Sequence, residues 1–172
     1  MIRKAQHSDI DTVMTIVASA QRALAELGID QWQDGYPSRA AIEADVNADV
    51  GYVAVDAHNR PIGYAAIVLT GEEAYEQIAD EMWNTPNDYV VVHRLCVDGT
   101  QHRRGIALEL MQYAADTARR ANLTAFRIDT HRGNVRMLGM MQRLGFNFTG
   151  IIRYESGERM AYDLDLNLSN TL

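Results

Sequence analysis

The sequence predicts an α/β or α+β domain built on a mixed β-sheet. The expected order of elements is strand, two helices, three strands, helix, strand, helix and two strands, which favours a mixed sheet. A length of 172 residues, 47% of them hydrophobic and 23% charged, suits one globular domain with a substantial core. The chain has no internal repeat, low-complexity tract or Pro/Gly/Ser-rich linker. We therefore expect residues 1–172 to form a single domain.

The N-terminal half begins with a helix bounded by two end signals. Ser8 is a suitable N-cap, and Gly28 fits the end of the apolar repeat that follows it. Ser38 is a second N-cap candidate, after a polar and aromatic loop. Two β-rich segments around a polar turn indicate a hairpin. In order, we expect a strand at 2–5, a helix between 8 and 28, a loop at 31–38, a helix from 38, and strands at 51–56 and 62–70.

The C-terminal half alternates strands and helices. The segment DYVVVHRLCV is rich in β-branched residues and short enough for a buried strand. The next helix carries apolar residues at helical spacing on one side, and Gly145 ends the helix after it. In order, we expect a weakly helical segment at 72–83, a strand at 88–97, a helix at 105–121, a strand at 123–130, a helix at 134–144, and strands at 148–154 and 159–166.

Charge and cysteine content narrow the classes of function. The formal net charge is -7, so the chain has no global attraction to nucleic acid or to an anionic membrane. Cys96 is the only cysteine, which excludes an intrachain disulfide and fits a reducing compartment. The apolar runs are too short to span a bilayer. These features predict a soluble, cytoplasmic protein.

The most informative segment is LCVDGTQHRRGIALELM, in which a strand runs through a loop into a helix. Unpaired N–H groups and the helix dipole at such a helix start favour anions, and Gly105 and Ala107 are small enough to admit phosphates. His102, Arg103 and Arg104 add positive charge. The segment thus describes a pyrophosphate cradle, although an ordinary solvated loop fits the same residues. It lacks the glycine spacing of dinucleotide folds and of P-loops.

Val97 to Ala107, VDGTQHRRGIA, resembles the acyl-CoA-binding motif of the GNAT acetyltransferase superfamily. IRKAQHSDID and NVRMLGMMQRLGF resemble the family's opening strand and helix and its later motif, and QWQDGYP and IDTHRGN are similar to segments of an uncharacterised bacterial subgroup. The resemblance implies a single-domain α/β fold, with a central, mixed, mostly antiparallel sheet flanked by helices. It also implies acetyl transfer from acetyl-CoA to an amine by direct attack. The cofactor-binding residues that it implies are Leu95, Cys96, Val97, His102, Arg103, Arg104, Gly105, Ile106, Ala107 and Asn134.

The resemblance also suggests catalytic residues. His93, on the strand before the motif, is the candidate base, because an attacking amine must be neutral; a structural core histidine is the alternative. The family often protonates the departing thiolate with a tyrosine, but Met141 stands at that position, so Tyr154 or a water is expected to substitute. This mismatch keeps a second interpretation open, a non-catalytic acyl-CoA-binding sensor or regulatory module.

The acceptor remains undefined by sequence. Trp32 and Tyr36 lie between the first two helices, a region that lines the acceptor site in the family, and an inward-packed tryptophan in a surface loop is the alternative. A polyamine, an aminoglycoside, an amino acid or a peptide N-terminus all fit. The five scattered histidines predict no metal site. Arg94, on the predicted buried strand, is expected to pair with a carboxylate such as Asp129. Many relatives are dimers, so a homodimer is possible.

Overall fold

The structure is a computed structural model that describes residues 1–79, 82–85, 88–101 and 105–168. Its strands form a mixed seven-stranded sheet in the order β1-β2-β3-β4-β5-β7-β6. Two compact units make up the fold, residues 1–67 with 92–113 and residues 68–91 with 114–172. The elements in chain order are β1 Ile2–Lys4, α1 Ile10–Glu26, α2 Arg39–Asn47, β2 Gly51–Val55, β3 Pro61–Val68, β4 Tyr89–Val97, α3 Ile106–Arg120, β5 Ala125–Thr130, α4 Val135–Leu144, β6 Asn147–Tyr154 and β7 Gly157–Asp165.

In the first unit, α1 and α2 cover a face of the N-terminal strands. β2 pairs antiparallel with both β1 and β3. The core combines buried apolar residues of α1 and α2, such as Val13 and Ile42, with Val53 of β2 and Tyr64 of β3. Tyr64, adjacent to Gly63 on β3, points toward α1 and α2. A Cβ on Gly63 would lie 2.8 Å from the Ile106 Cγ2 atom, so the opposite face of β3 contacts the start of α3.

In the second unit, β5 lies between a parallel and an antiparallel neighbour. It pairs in parallel with the first three residues of β4, and antiparallel with β7 along its whole length. β7 in turn pairs antiparallel with β6. The side chain of Asn134 caps α4, and Gly145, with φ 84, ends that helix in the left-handed conformation that glycine adopts readily.

The start of α1 differs from the sequence prediction. Ser8 does not cap that helix; it lies inside a 3-10 turn at His7–Asp9 that precedes α1. Asp9 explains the difference, because its carboxylate accepts the backbone N–H of Gln6 at 2.8 Å and the guanidinium of Arg3 at 2.7 Å. The cap at Ser38 is confirmed, since its hydroxyl accepts the N–H of Ala41 at 3.2 Å. None of the described helices is long and apolar enough to cross a membrane.

Candidate active site

The first turn of α3 lies where the sequence predicts an anion site. Gly105, just before the helix, is exposed at φ 76, and a Cβ on it would meet no heavy atom of the described residues within 4 Å. The bond from the Glu109 N–H to the Gly105 carbonyl, at 2.9 Å, opens the helical ladder. The N–H groups of Ile106 and Ala107 precede that bond, at the positive end of the helix dipole. His102, Arg103 and Arg104 lie outside the described residues.

The side chain of Ile106 cannot itself line an anion site. It is 5% exposed and packs against β3 at Gly63, which anchors α3 to the sheet. Ala107, the next residue, is half-buried and small. The chemistry available to a ligand here is therefore that of backbone N–H groups beside an open surface.

The C-terminal part of β4 presents Leu95, Cys96 and Val97. The register of β4 with β5 covers only Tyr89–Val91, so it supplies no β5 partner for the backbone of these three residues. Cys96 is 5% exposed in the core beside α1, and burial raises the pKa of its thiol to about 12. Its side chain is therefore a small buried apolar group, and only its backbone could serve a ligand.

Arg94 interrupts β4. Its φ is 56, in the left-handed region, which non-glycine residues occupy rarely and mostly at functional or strongly constrained positions. Regular alternation of side chains stops there, so His93 and Leu95, on either side of Arg94, do not follow the two-residue period of an ideal strand. His93, immediately before the interruption, is half-buried.

A buried network fixes the Arg94 side chain. Its Nε and Nη2 atoms donate to the two carboxylate oxygens of Asp45 on α2, at 2.7 and 2.5 Å. The hydroxyl of Tyr64 donates to the same carboxylate at 2.7 Å, and burial, followed by this hydrogen bond, raises the pKa of Tyr64. Arg94 also donates from Nη1 to the hydroxyl oxygen of Tyr36 at 2.5 Å. The prediction that Arg94 pairs with a carboxylate is confirmed, but its partner is Asp45 on α2 and not Asp129.

Of the two predicted acceptor residues, only Tyr36 is exposed. The residue is 40% exposed, and its hydroxyl oxygen accepts a hydrogen bond from Arg94. Trp32 is partly buried and packs against the core of the first unit, with φ 68. Tyr36 thus lies next to β4. Trp32 packs inward, which agrees with the alternative interpretation of a tryptophan packed beneath a surface loop.

Tyr154 belongs to the second unit, where it shares a carboxylate with Tyr75. Both hydroxyls donate to the Oδ2 atom of Asp129, at 3.1 Å from Tyr154 and 2.9 Å from Tyr75. Tyr75 is 1% exposed, and burial, with the charge of Asp129, raises its pKa well above the usual value. Tyr154 is half-buried, so it is the accessible member of the pair.

Asn134, the N-cap of α4, and Met141 within that helix also bear on the predicted site. Asn134 accepts the N–H of Met137 at 3.3 Å and donates to the Thr130 hydroxyl at 3.2 Å, so its side chain already has structural partners. Met141 is 0% exposed. Its burial and its lack of a donor leave no acid at the family's usual tyrosine position.

The sequence patterns did not identify Asp45, Tyr64 or Tyr75 as members of polar networks. They also did not predict that Asp129 accepts hydrogen bonds from two tyrosines. A signal for Asp45 was available, because an acidic residue three positions after Ile42 falls on the apolar side of α2. An acidic residue on an apolar helix face and an arginine on a buried strand are each costly to bury alone, so an ion pair between them is favoured. No cluster of three or more potential metal ligands occurs within the described ranges.

Comparisons with known proteins identify similar folds and sequences. The family model described as the Acetyltransferase (GNAT) family matches residues 17–146. The structure of a GNAT-family acetyltransferase from Streptococcus agalactiae is 31% identical and superposes with a TM-score of 0.85, over 96% of this chain and 94% of that chain. A putative acetyltransferase from Staphylococcus aureus is 23% identical, with a TM-score of 0.74 over 96% and 99% of the two chains.

A more distant neighbour has ligands in its structure. The NatC complex bound to Gag peptide and CoA contains a chain 17% identical to this one, with a TM-score of 0.68 over 96% of this chain and 97% of that chain. At that identity the likeness concerns the fold alone. A search of curated protein sequences found no match.

Proposed function

Because the chain belongs to the GNAT family of acetyltransferases, we propose that it moves an acetyl group from acetyl-CoA to a primary amine by direct attack. Because it belongs to this family, the protein is an acyltransferase. The identities of the acyl donor and of the amine acceptor are what we propose. The observation that carries the proposal is the first turn of α3, where an open glycine precedes backbone N–H groups at the positive end of a 15-residue helix. We further propose that residues 1–172 act as one N-acetyltransferase domain in the cytoplasm.

Acetyl-CoA fits the residues present. The N–H groups of Ile106 and Ala107 would hold the pyrophosphate, together with the basic residues 102–104, and no side chain of the described residues lies within 4 Å of a Cβ placed on Gly105. The backbone of β4 at residues 95–97 would bind the pantetheine arm by strand-like hydrogen bonds. When bound, acetyl-CoA supplies an activated thioester. A β4 N–H aimed at its carbonyl oxygen would stabilise the charge that develops there.

His93 is the proposed general base. A lysine-like amine has a pKa of about 10.4, so at neutral pH it must lose a proton before it can attack. His93 lies beside the interruption of β4 at Arg94, in the segment proposed to hold the donor. We expect His93→Ala to lower kcat/KM about 10²–10⁴-fold near pH 7, with a smaller loss at high pH, where more of the amine is already neutral. An equal loss at every pH would argue for a structural histidine.

Tyr154 is the proposed proton donor to the departing thiolate. Its hydroxyl proton points at Asp129, so Tyr154 must turn from that carboxylate before it can serve. Tyr154→Phe removes the proton, whereas Tyr75→Phe removes the other hydroxyl on the same oxygen and is the matched control. We expect kcat to fall in Tyr154→Phe only. Equal losses would indicate that both tyrosines only position Asp129.

The acceptor is proposed to be a small-molecule or peptide amine that contacts Tyr36. The ring of Tyr36 is exposed, and Arg94 holds its hydroxyl, so it offers a fixed aromatic surface. Replacing Tyr36 by serine should raise KM for the amine and leave KM for acetyl-CoA unchanged. A matching change in both constants would argue against acceptor contact.

Calorimetric titration of acetyl-CoA tests the donor site. Ala107→Glu places a negative charge in the first turn of α3, where the helix dipole tolerates it, so the fold should persist while pyrophosphate is repelled. Ala107→Gln has nearly the same size and no charge, and is the matched control. We expect the wild-type protein and Ala107→Gln to bind and Ala107→Glu to bind at least about tenfold more weakly. Absence of wild-type binding would refute acetyl-CoA as the donor.

The second candidate is an acyl-CoA sensor without chemistry. The observation in its favour is Met141, fully buried where a proton donor is common in the family. A sensor would bind acetyl-CoA in the same titration and release no thiol with any amine. Thiol release that depends on an added amine distinguishes the two functions.

A further inference from the structure

A cavity with a mostly apolar lining lies along α1, beside the loop that follows Val97 at the end of β4. Its volume is about 470 Å³, within the range of small-molecule sites. One wall is the outward side of α1, with Thr12, Ser19 and Arg22 among its residues. The other wall is formed by Arg60, at the turn before β3, and by the loop after β4 from Asp98 to Thr100.

α1, which forms one wall of this cavity, and the first turn of α3 lie on opposite faces of β3. Tyr64 packs in the core beside α1, whereas its neighbour Gly63 faces the Ile106 side chain of α3. Successive residues of a strand point to opposite faces, so α1 and α3 cover different sides of the sheet. A ligand held against α1 would therefore not occupy the place proposed for the pyrophosphate.

The cavity's two acidic residues already have partners. Asp11 forms an ion pair with Arg39 of α2. The Oδ1 atom of Asp98 accepts the backbone N–H of Thr100 at 2.9 Å and its hydroxyl at 3.0 Å. Within the described residues, neither carboxylate forms an ion pair with the two arginines that line the same cavity.

Those arginines, Arg22 and Arg60, have no hydrogen bond or ion pair from their guanidinium groups within the part of the chain that the structure describes. The carboxylate nearest to Arg60 in sequence, Asp56, instead accepts the backbone N–H groups of His58 and Arg60, at 2.8 and 3.0 Å. Two exposed arginines that line one cavity, together with Thr12 and Ser19, supply the donor types that bind phosphate oxygens.

We propose that this cavity binds a small phosphate monoester, at a site separate from acetyl-CoA. The guanidinium groups of Arg22 and Arg60 bind the phosphate, and the hydroxyls of α1 contact the remainder of the molecule. The cavity is larger than a phosphate ion needs, which favours an organic phosphate over the free ion. This proposal does not depend on whether the protein transfers acetyl groups.

Calorimetric titrations with glycerol 3-phosphate and glucose 6-phosphate, in phosphate-free buffer, test the proposal. Each is added to the protein alone and to the protein with saturating acetyl-CoA, and glycerol is the uncharged control. We expect saturable binding of at least one ester, equal in both conditions. Arg22→Gln and Arg60→Gln should each weaken it about tenfold. Arg143→Gln removes the same charge from the exposed end of α4 and should change nothing.

Three results would overturn the proposal. The first is no saturation by either ester at about 10 mM, where a site with a millimolar Kd would be nearly full. The second is loss of binding when acetyl-CoA is present, which would place the ester at the donor site. The third is equal binding by the wild-type protein, Arg22→Gln and Arg60→Gln. Circular dichroism of each variant separates lost binding from lost folding.

Discussion

Replacing Asp45 by alanine should remove about 3–5 kcal/mol from the free energy of unfolding. The carboxylate accepts two hydrogen bonds from Arg94 and one from Tyr64. The side chains of Asp45 and Arg94 are only 7% and 15% exposed, and Tyr64 is 0% exposed. Without Asp45, water reaches the guanidinium and the phenol poorly, so the buried cation loses its counter-charge and keeps only a neutral partner in Tyr36, and the Tyr64 hydroxyl loses its acceptor.

Urea denaturation followed by circular dichroism measures this loss, provided that the slope of the unfolding free energy against urea concentration is the same in the variant and the wild-type protein. At roughly 2–4 °C per kcal/mol for a chain of this length, the midpoint of thermal unfolding should fall by about 6–20 °C. Asp11→Ala is the matched control, because it breaks an ion pair whose carboxylate is 87% exposed, and it should cost less than about 1 kcal/mol.

A double variant separates the ion pair from its burial. Asp45→Leu with Arg94→Met replaces both charges by apolar groups, and it should be more stable than Asp45→Ala, because no unpaired charge remains buried. The reasoning fails if Asp45→Ala loses no more stability than Asp11→Ala. It also fails if the double variant is less stable than Asp45→Ala.

Three other substitutions or treatments test separate parts of the structure. Gly63→Ala should cost about 1–3 kcal/mol of unfolding free energy in urea, because its Cβ would lie 2.8 Å from an α3 side-chain carbon, whereas Gly139→Ala, with nothing within 4 Å, should not destabilise. Native Cys96 should resist iodoacetamide at pH 8 and react only after unfolding, because burial raises its pKa to about 12; reaction at the rate of a free thiol would contradict its burial. Hydrogen bonds from Arg3 first, and from the backbone of Gln6, lower the pKa of Asp9, so their stabilisation is present above the unfolded pKa of about 3.9 and is lost as pH falls through the folded value. In Arg3→Gln, the free energy of unfolding should therefore depend less on pH below about pH 4 than in the wild-type protein. The same pH dependence in both proteins would refute the role of this ion pair.

Local signals in the sequence predicted most of the element order. The N-cap at Ser38 and the stop at Gly145 are confirmed, since capping depends on one or two residues whose chemistry is visible in sequence. The start of α1 was misplaced. Asp9 forms a turn with Gln6 and an ion pair with Arg3, and such a combination competes with a simple cap.

The partner of Arg94 could not be read from strand order alone. Asp129 was the nearest carboxylate on the expected neighbouring strand, whereas Asp45 lies 49 positions away on a helix. The interruption of β4 at Arg94 was equally hidden, because positive φ at an arginine follows from tertiary constraints rather than from its own preference. Contacts set by packing between distant segments decide both features.

The start of α3, at the candidate donor site, was predictable for the same reason as the caps. Its chemistry belongs to backbone N–H groups at a helix start, and Gly105 and Ala107 mark that start in the sequence. The assignment of catalytic side chains depends on the placement of His93 and Tyr154 around bound substrates, which strand and helix patterns do not determine. Those roles stay predictions for the variants described above.

Acetyl transfer itself is tested most directly by incubating the purified protein with acetyl-CoA and a panel of amines that includes a polyamine, an aminoglycoside, free amino acids and peptide N-termini. Thiol release and the mass of the amine are measured together. We predict release that requires one of the amines, with an equal amount of that amine gaining a single acetyl group. Acetyl-CoA that binds but remains intact with every amine would contradict the proposed activity and favour the sensor.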